Sequence, residues 1–276
     1  MQKDLNMSYT MNFMFWNIHR NNLLFPVIIE LIDEYNLDVF ILAEFPIDSQ
    51  WKLTLPPTHI FHSLANEKSK IKYIYNKRLI IKSLGDAPQM RGSMLSVTLN
   101  DVISFNLVGC HLVDPYNYDK IEQENRAGDF SEFVYNIEQK TNNNQTVVVG
   151  DFNMNPFDPG MARAKCFNSV MDKRIAQQGK RRYCDKDYPF FYNPMWYFLG
   201  HPNHLNGTIY YNHSEDLQYY WHIFDQVLIR PSLIDKFLME SLKIIEKTPS
   251  TNLLTERGTV NHNISDHLPI FFTLKF

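Results

Sequence analysis

The sequence predicts an α/β layered fold built on a mixed β-sheet. Residues 11 to 16, MNFMFW, are apolar and aromatic enough for a buried strand. The segment LLFPVIIELIDEY then carries one apolar helical stripe, formed by Leu24, Val27, Ile28, Leu31 and Tyr35. The run DVFILAE follows as a second buried strand, closed by Pro46. This order of strand, helix and strand is typical of layered α/β folds.

Short β-rich segments come next, namely THIFHS, IKYIYN, RLIIKSL, MLSVTL and VISFNLVGCHL. Turn-like residues separate them and no helix is needed between them, so we expect antiparallel neighbours within the mixed sheet. A second helix is predicted over residues 118 to 139, where Phe130, Phe133, Val134 and Ile137 follow the helical period. The strand TVVVG and a helix near residues 161 to 172 complete this part of the chain.

The last third of the chain begins with a tract without a clean period. This tract, from about residue 183 to 222, is rich in Tyr, Phe, Pro and His. Two late strands are predicted in HIFDQVLI and HLPIFFTLKF, with a short helical segment near PSLIDKFLM between them. Because no repeat, linker or low-complexity block interrupts the sequence, residues 1 to 276 are predicted to form one domain.

Composition limits the class of protein. The chain is 44% hydrophobic, which is ample for a sizeable core, and its net charge of -3 neither requires nor excludes a nucleic-acid partner. Three widely separated cysteines argue against a disulfide framework and against a zinc site. The first ten residues lack the apolar centre of a signal peptide, and no segment approaches the roughly 18 apolar residues of a membrane helix. We therefore expect a cytoplasmic protein that is not inserted into a membrane.

The most informative pattern is a polar side chain at the end of several apolar strands. Its members are Asn17 after MFW, Glu44 after FILA, His111 after LVGC, and both Asp151 and Asn153 in VVVGDFN. In open α/β sheets, ligands bind just beyond strand ends, where side chains from separate strands converge. The alternative is ordinary turn chemistry, because Asn and Asp are common in turns for backbone reasons alone.

Three of the acidic residues need partners. Glu44 directly continues a buried run, so its carboxylate must reach water, a cation or a metal, and we prefer the metal over a solvated glutamate. Asp225 alternates onto an apolar face, and histidine is its natural partner if that face is buried. Asp266 and His267 precede the final strand, and both serve one site only if the backbone turns there; the alternative is an ordinary turn with a surface histidine.

Further residues are candidates for substrate contacts. Arg126 lies one turn before Phe130 on an apolar helical stripe, where it either snorkels to water or reaches a phosphate or an acidic site residue. The aromatic tract, including Asn193 and Trp196, offers rings that stack on bases, with a packed core insertion as the alternative. The KRR run at 180 to 182 either contacts phosphates or forms a solvated surface.

Together these motifs resemble the endonuclease/exonuclease/phosphatase superfamily, which includes pancreatic deoxyribonuclease, abasic-site endonucleases, neutral sphingomyelinases and inositol polyphosphate 5-phosphatases. The most specific matches are GDFN at 150 to 153 and SDH at 265 to 267, with WN, AE, CHL and FDQV in the expected order between the chain start and SDH. The resemblance runs from Asn17 to His267. It implies a deoxyribonuclease I-like, four-layered α/β sandwich, in which two mixed, mainly antiparallel sheets pack between helices.

The resemblance also implies roles for individual residues. It makes Glu44 the main Mg²⁺ or Mn²⁺ ligand, with Asn17 and Asp266 close to the metal. It makes Asp151 and Asn153 the residues that position the scissile phosphate and the attacking water.

For the histidines, the resemblance implies a hydrogen-bonded pair of His267 and Asp225. His111 matches the second histidine of the deoxyribonuclease and sphingomyelinase branches, which the abasic endonucleases usually lack. Whether Asp151 or His267 is the general base stays open, as does the role of Arg126, because the family's usual Gln after this arginine is absent.

The implied activity is metal-dependent hydrolysis of phosphodiester bonds, with DNA as the favoured substrate of an endonuclease or exonuclease. In such chemistry a divalent cation neutralises charge, an imidazole or carboxylate manages the proton of the water, and amides hold phosphoryl oxygens. One alternative is a small phosphoester, such as a nucleotide, a phosphoinositide or a sphingomyelin-like head group. The other is a non-catalytic binding module, which the intact motif residues disfavour. The sequence predicts no particular protein partner.

Overall fold

The computed structural model describes residues 8–46, 55–62, 69–213 and 216–276. Its strands are β1 (Thr10–Asn17), β2 (Val39–Ala43), β3 (His59–His62), β4 (Ile71–Asn76), β5 (Leu79–Asp86), β6 (Gly92–Leu99), β7 (Ile103–His111), β8 (Thr146–Asp151), β9 (Ser169–Val170), β10 (Lys180–Tyr183), β11 (Lys186–Pro189), β12 (Phe191–Tyr192), β13 (Ile209–Tyr210), β14 (Trp221–His222), β15 (Asp225–Ile229), β16 (Lys243–Ile244) and β17 (Ile270–Lys275). Its α-helices are α1 (Phe25–Glu34), α2 (Lys120–Thr141), α3 (Pro159–Ala162) and α4 (Lys173–Ala176). Short 3-10 helices cover Asn22–Leu24, Pro88–Met90, Pro194–Phe198, Pro231–Lys236 and Met239–Ser241.

Two large mixed sheets contain most of the strands. Sheet 1 has the order β16-β17-β1-β2-β4-β3, and sheet 2 has the order β5-β6-β7-β8-β15-β12-β9. The pairs β1–β2 and β7–β8 are parallel, and the strands that flank them are antiparallel. The small hairpins β10–β11 and β13–β14 lie outside both sheets. The predicted antiparallel neighbours are therefore confirmed, although they divide between two sheets.

The layers follow from which side chains share a core. Along β8, Val147 and Val149 belong to the core that also contains β1 and β2, whereas Val148 packs with α2. Because alternate residues of a strand face opposite sides, sheet 2 is covered by sheet 1 on one face and by α2 on the other. The helix α1 is the crossover between parallel β1 and β2 and buries its apolar stripe against sheet 1. The predicted four-layered α/β sandwich is confirmed.

The two sheets approach each other closely at Gly109 of β7. A Cβ atom at this position would lie 2.6 Å from the Tyr73 hydroxyl oxygen and 2.7 Å from Ile71 Cγ2, both of β4. The buried Tyr73 hydroxyl accepts a hydrogen bond from the Gly109 N–H at 2.9 Å and donates one to the Ser93 carbonyl at 3.1 Å. These hydrogen bonds cross between the sheets and fix their spacing next to the ends of β7 and β8.

Gly150 allows β7 and β8 to lie close together, because the space beside it is too small for a Cβ atom. It pairs with Cys110, and a Cβ atom added to it would lie 2.0 Å from the Cys110 carbonyl oxygen. Gly150→Ala is expected to push the strands apart and lower the free energy of unfolding by about 3 kcal/mol, the upper end for overpacking a core. Urea unfolding followed by circular dichroism measures this change.

The matched control is Gly128→Ala on the outer side of α2, where the nearest atom is the Lys165 carbonyl oxygen at 3.2 Å. Alanine also has the higher helix propensity, so we expect a change within about 1 kcal/mol. Equal effects of the two substitutions would contradict the proposed role of Gly150.

The prediction of a helix near residues 161 to 172 is wrong. The structure has one helical turn, α3, followed by the two-residue strand β9. Asn168 adopts a φ of 50°, and its side chain donates hydrogen bonds to the carbonyls of Tyr188 and Pro189. Long-range pairing of this segment with β12 therefore replaces the helix that local propensity favours.

Other sequence expectations have mixed outcomes. The α2 prediction is confirmed within two residues at each end, and the segment PSLIDKFLM forms a 3-10 helix. The KRR run forms strand β10, whose side chains are exposed. The cysteines are free thiols, with Cys110 and Cys166 buried and Cys184 exposed. Within the described residues, none of the helices combines the length and the apolar character needed to cross a membrane.

Candidate active site

Strand register brings the polar strand ends together. His111 pairs with Asp151 across β7 and β8, and Asp151 pairs with Asp225 across β8 and β15. In sheet 1, the register of β1 and β2 places Asn17 opposite Ala43, the residue before Glu44. The Asn17 amide donates a hydrogen bond of 3.1 Å to Asp151 Oδ2 and thereby links the two sheets. The predicted convergence is present.

Asp225 and His267 form the hydrogen-bonded pair that the sequence predicts. His267 Nδ1 lies 2.8 Å from Asp225 Oδ2, both side chains are buried, and His267 Nε2 faces Asp151 Oδ2 at 3.8 Å. The required turn is made by Ser265, whose hydroxyl donates to the Asn17 carbonyl at 2.7 Å and accepts from the His267 N–H at 3.2 Å. This turn buries His267 and leaves Asp266 at the edge of the site.

Asp151 is the centre of the cluster. It is 1% exposed, and its Oδ1 accepts a hydrogen bond from the Asn153 N–H at 2.9 Å. Burial raises the pKa of Asp151, and the nearby Asp225 raises it further, whereas His267 and His111 oppose the shift. The carboxyl group is therefore a stronger base than an ordinary aspartate.

The two histidines of the cluster have opposite charge states. Burial alone would lower the pKa of His267, but Asp225 and Asp151 outweigh it and raise this pKa to about 10. Burial lowers the pKa of His111 to about 4, and the nearby cations Arg91 and Lys70 lower it further against the effect of Asp151. At neutral pH His267 is therefore a cation that donates hydrogen bonds, and His111 is a neutral imidazole.

Glu44 reaches the cluster from sheet 1 through an unusual backbone conformation. Its φ is 50°, in the left-handed region, as is that of Asn153 with a φ of 52°. Glu44 Oε1 lies 3.5 Å from His111 Nε2, which is also 3.5 Å from Asp151 Oδ2. Left-handed conformations are rare for a residue such as Glu and cost of order 1 kcal/mol or more, so the surrounding structure must hold this one.

The donor set fits a hard divalent cation. Mg²⁺ and Mn²⁺ prefer carboxylate, amide and water oxygens, and Mg²⁺ usually keeps several waters. The Glu44 carboxylate is 21% exposed. Asp266 Oδ1 is buried but accepts no hydrogen bond from any described residue, although His19 Nδ1 lies 3.3 Å away. The carboxylates of Glu44 and Asp266 therefore have oxygen atoms without a close hydrogen-bond donor among the described residues, and these atoms can coordinate a cation.

A second group of possible ligands is less suitable for a metal. One atom from each of Asp151, Asp225 and His267 lies within 4.8 Å of the other two. However, the raised pKa of His267 means that protons occupy both of its ring nitrogens. A protonated His267 cannot coordinate a cation through either ring nitrogen, and its Nε2–H is suited to donating a hydrogen bond to a phosphoryl oxygen.

Comparisons with solved structures identify the fold. No protein-family profile and no curated protein sequence match the chain. Among solved structures, an endonuclease/exonuclease/phosphatase family protein from Bacteroides thetaiotaomicron superposes with a TM-score of 0.60 at 14% identity, covering 98% of this chain and 96% of that one. The chain has the endonuclease/exonuclease/phosphatase fold.

Two further structures with this fold are similar over most of their length. A truncated TDP2 from Caenorhabditis elegans has a TM-score of 0.58 at 15% identity and covers 96% of this chain and 98% of that one. The 3' phosphatase NExo from Neisseria, bound to a product DNA hairpin, has a TM-score of 0.52 at 15% identity and covers 96% and 100%.

The predicted substrate-binding residues differ in burial and in their hydrogen-bond partners. Arg126 forms an ion pair with Glu122 one turn away on α2, and its side chain is 29% exposed. The Trp196 ring is partly buried, 6.3 Å from that of Phe157. The prediction that Asn193 contacts the substrate is corrected by its position. Its side chain is fully buried, caps the Pro194–Phe198 helix and donates a hydrogen bond of 2.7 Å to Gln226. Its amide supports β15 and is not available to a substrate.

Sequence reasoning missed several residues that shape the site. Ser265 belongs to the SDH motif, and its position before Asp266 was the available signal. Arg91 contacts the site through its carbonyl, which accepts a hydrogen bond of 2.8 Å from the His111 N–H. Tyr211 belongs to the aromatic tract that the sequence predicts near the site, and the structure places it two residues after Ile209, which bridges His267. Burial, Tyr116, Asp266 and Asp151 together raise the pKa of Tyr211.

Proposed function

We propose that the protein is a metal-dependent phosphodiesterase that acts on nucleic acid, with DNA favoured, as an endonuclease or exonuclease. The observation that carries this proposal is the position of His267 between Asp225 and Asp151, with Asn17 bonded to the same Asp151. Such a site combines a base with hydrogen-bond donors for an anion. Hydrolysis of a phosphodiester requires both.

The protonation states support distinct roles for the buried groups. His267 carries the proton in the resting site, so its Nε2–H donates to a phosphoryl oxygen while Asp225 stabilises the ring charge. Asp151, with its raised pKa, accepts the proton of the attacking water. Asn153 holds Asp151 through its N–H, and Asn17 orients the other carboxylate oxygen. Neutral His111 adds a hydrogen-bonding ring nitrogen between Glu44 and Asp151.

Glu44 and Asp266, with Asn17 nearby, would hold a Mg²⁺ or Mn²⁺ ion. When bound, such an ion neutralises the negative charge of the phosphate and of the developing transition state. The chain's own contribution is to fix these oxygen ligands, which the left-handed turn at Glu44 and the Ser265 hydrogen bonds do on opposite sides of Asn17.

The structural neighbours support a nucleic-acid substrate. They include the endonuclease domain of TRAS1, a telomere-specific non-LTR retrotransposon, and the Neisseria 3' phosphatase NExo bound to a product DNA hairpin. The cytoplasm remains the compartment that we propose, because a reducing environment suits three free thiols.

The test is incubation of the purified protein with supercoiled plasmid, single-stranded DNA, RNA and a panel of phosphoinositides, each with Mg²⁺, Mn²⁺ or EDTA. We expect cleavage of nucleic acid that requires a divalent cation and stops in EDTA. Turnover of a phosphoinositide without turnover of any nucleic acid would favour the alternative function, hydrolysis of a small phosphoester. If the protein hydrolyses none of these substrates, the proposal that it is an enzyme is contradicted.

A further inference from the structure

We propose that an aromatic strip beside the active site binds the unpaired bases of a nucleic-acid strand whose phosphodiester lies in that site. This inference rests on the proposed function and specifies a single-stranded form of the substrate. The aromatic strip consists of seven rings, those of Tyr116, Phe157, Trp196, Tyr211, His213, Tyr219 and His222.

The rings of the aromatic strip form a continuous series. Tyr211 lies 6.0 Å from Tyr116, 5.7 Å from His213 and 5.6 Å from His222, measured between ring centroids. From His222 the series continues to Tyr219 at 5.9 Å, to Phe157 at 5.6 Å and to Trp196 at 6.3 Å. Each spacing is within the range of direct contact between aromatic rings.

The aromatic strip begins at the segment that supports the proposed catalytic pair. Ile209, two residues before Tyr211, forms a β-bridge with His267. The neighbouring Thr208 accepts a hydrogen bond from the Leu268 N–H at 2.8 Å through its carbonyl and one from the Asp225 N–H at 3.2 Å through its hydroxyl. A molecule with a phosphate at His267 therefore passes next to Tyr211, and a longer strand continues along the rings.

The outer rings of the aromatic strip are surface groups, whereas Trp196, Tyr211 and His222 are half-buried. Tyr116 is 67% exposed, Tyr219 is 51% exposed and Phe157 is 39% exposed. Monomeric proteins rarely expose contiguous patches of large apolar groups without a binding role. The alternative of a packed insertion therefore does not account for the outer rings of the aromatic strip.

The chemistry of the aromatic strip fits planar bases better than acyl chains. Hydrogen bonds fix two of its imidazoles, His213 to the Tyr116 hydroxyl at 3.2 Å and His222 to the Asn155 amide at 3.1 Å. Flat faces with polar edges stack on bases and bond to them, and only unpaired bases present a face to such rings.

The test measures binding of a fluorescently labelled short oligothymidylate by anisotropy, in EDTA so that no strand is cleaved. The probes for comparison are an abasic strand of the same length, which retains the phosphates, and a DNA duplex. We expect the wild-type protein to bind the oligothymidylate at least roughly tenfold more tightly than either, since stacking contributes about 1–3 kcal/mol per base.

The variants are Tyr219→Ala and Phe157→Ala, with Tyr183→Ala on the separate β10–β11 hairpin as the control, because Tyr183 is also 51% exposed. Each strip variant is expected to weaken oligothymidylate binding roughly tenfold and to leave abasic binding unchanged. The kcat/KM of the wild-type protein for bis(4-nitrophenyl) phosphate, a small diester, separately measures whether the site hydrolyses phosphodiesters.

Equal affinity for the base-containing and abasic strands, or equal losses in Tyr183→Ala and the strip variants, would overturn this inference. If the wild-type protein still hydrolyses the small diester in that case, the proposed function stands and the aromatic strip alone is wrong. Failure of the wild-type protein to hydrolyse any diester would instead contradict the proposed function.

Discussion

Replacing His267 with alanine is expected to lower kcat at least roughly a hundredfold, because the change removes a buried cation that donates to the phosphoryl oxygen. The nearest matched control is His262→Gln, an exposed histidine five positions earlier in the chain, which we expect to retain wild-type activity. Steady-state cleavage of the best nucleic-acid substrate measures both. Near-wild-type kcat in His267→Ala would remove this residue from the mechanism.

Asp225→Asn tests the contribution of the positive charge on His267, because it removes the neighbouring carboxylate and keeps the imidazole ring. Without the Asp225 carboxylate, the pKa of His267 is expected to fall from about 10, as measured by NMR titration of the imidazole protons in EDTA. Because this pKa lies above the ordinary value of 6.5, the pair stabilises the folded state fully below pH 6.5, and this stabilisation disappears as the pH rises through about 10.

The effect of Asp225→Asn on the free energy of unfolding should therefore be largest in acid-to-neutral solution and should shrink towards pH 10. Urea unfolding at several pH values tests this trend. A destabilisation that does not change between pH 6.5 and pH 10 would mean that His267 is neutral in the folded protein.

Glu44→Gln is expected to weaken Mn²⁺ binding and to reduce kcat by at least roughly a hundredfold, since the substitution keeps the shape of the side chain but removes a negative ligand. Electron paramagnetic resonance of free Mn²⁺ measures the affinity without relying on turnover. Glu34→Gln, on the exposed side of α1, is the control for removing one negative charge. Unchanged Mn²⁺ affinity in Glu44→Gln would show that the cation binds elsewhere.

Sequence periodicity was sufficient for the elements whose side chains repeat along the chain. The strands β1, β2 and β8 are mostly apolar, and α2 has a stripe from Phe130 to Ile137, so local pattern and tertiary burial agree. It failed for β9 and β12, which are two residues long and exist only because they pair with each other and with β15. The sequence of a two-residue strand does not indicate which distant strand it pairs with.

For the candidate site, the residue types at strand ends were visible in the sequence, and their register was not. Asp151, Asp225 and His267 meet because β8 and β15 pair with Asp151 opposite Asp225. The burial of Asn193 depends on Gln226, 33 positions away. The charge states of the two histidines depend on how many carboxylates and cations surround each one, which requires the three-dimensional positions of Arg91, Asp151 and Asp225.

The left-handed backbone at Glu44 and Asn153 has a consequence for engineering. An optimisation that considers only folding would replace Glu44 with glycine, which adopts this φ without steric cost. The resulting protein would keep its fold and lose the carboxylate that we assign to the cation. Variants selected for thermostability without an activity screen are therefore expected to include Glu44→Gly, as trade-offs between stability and activity predict.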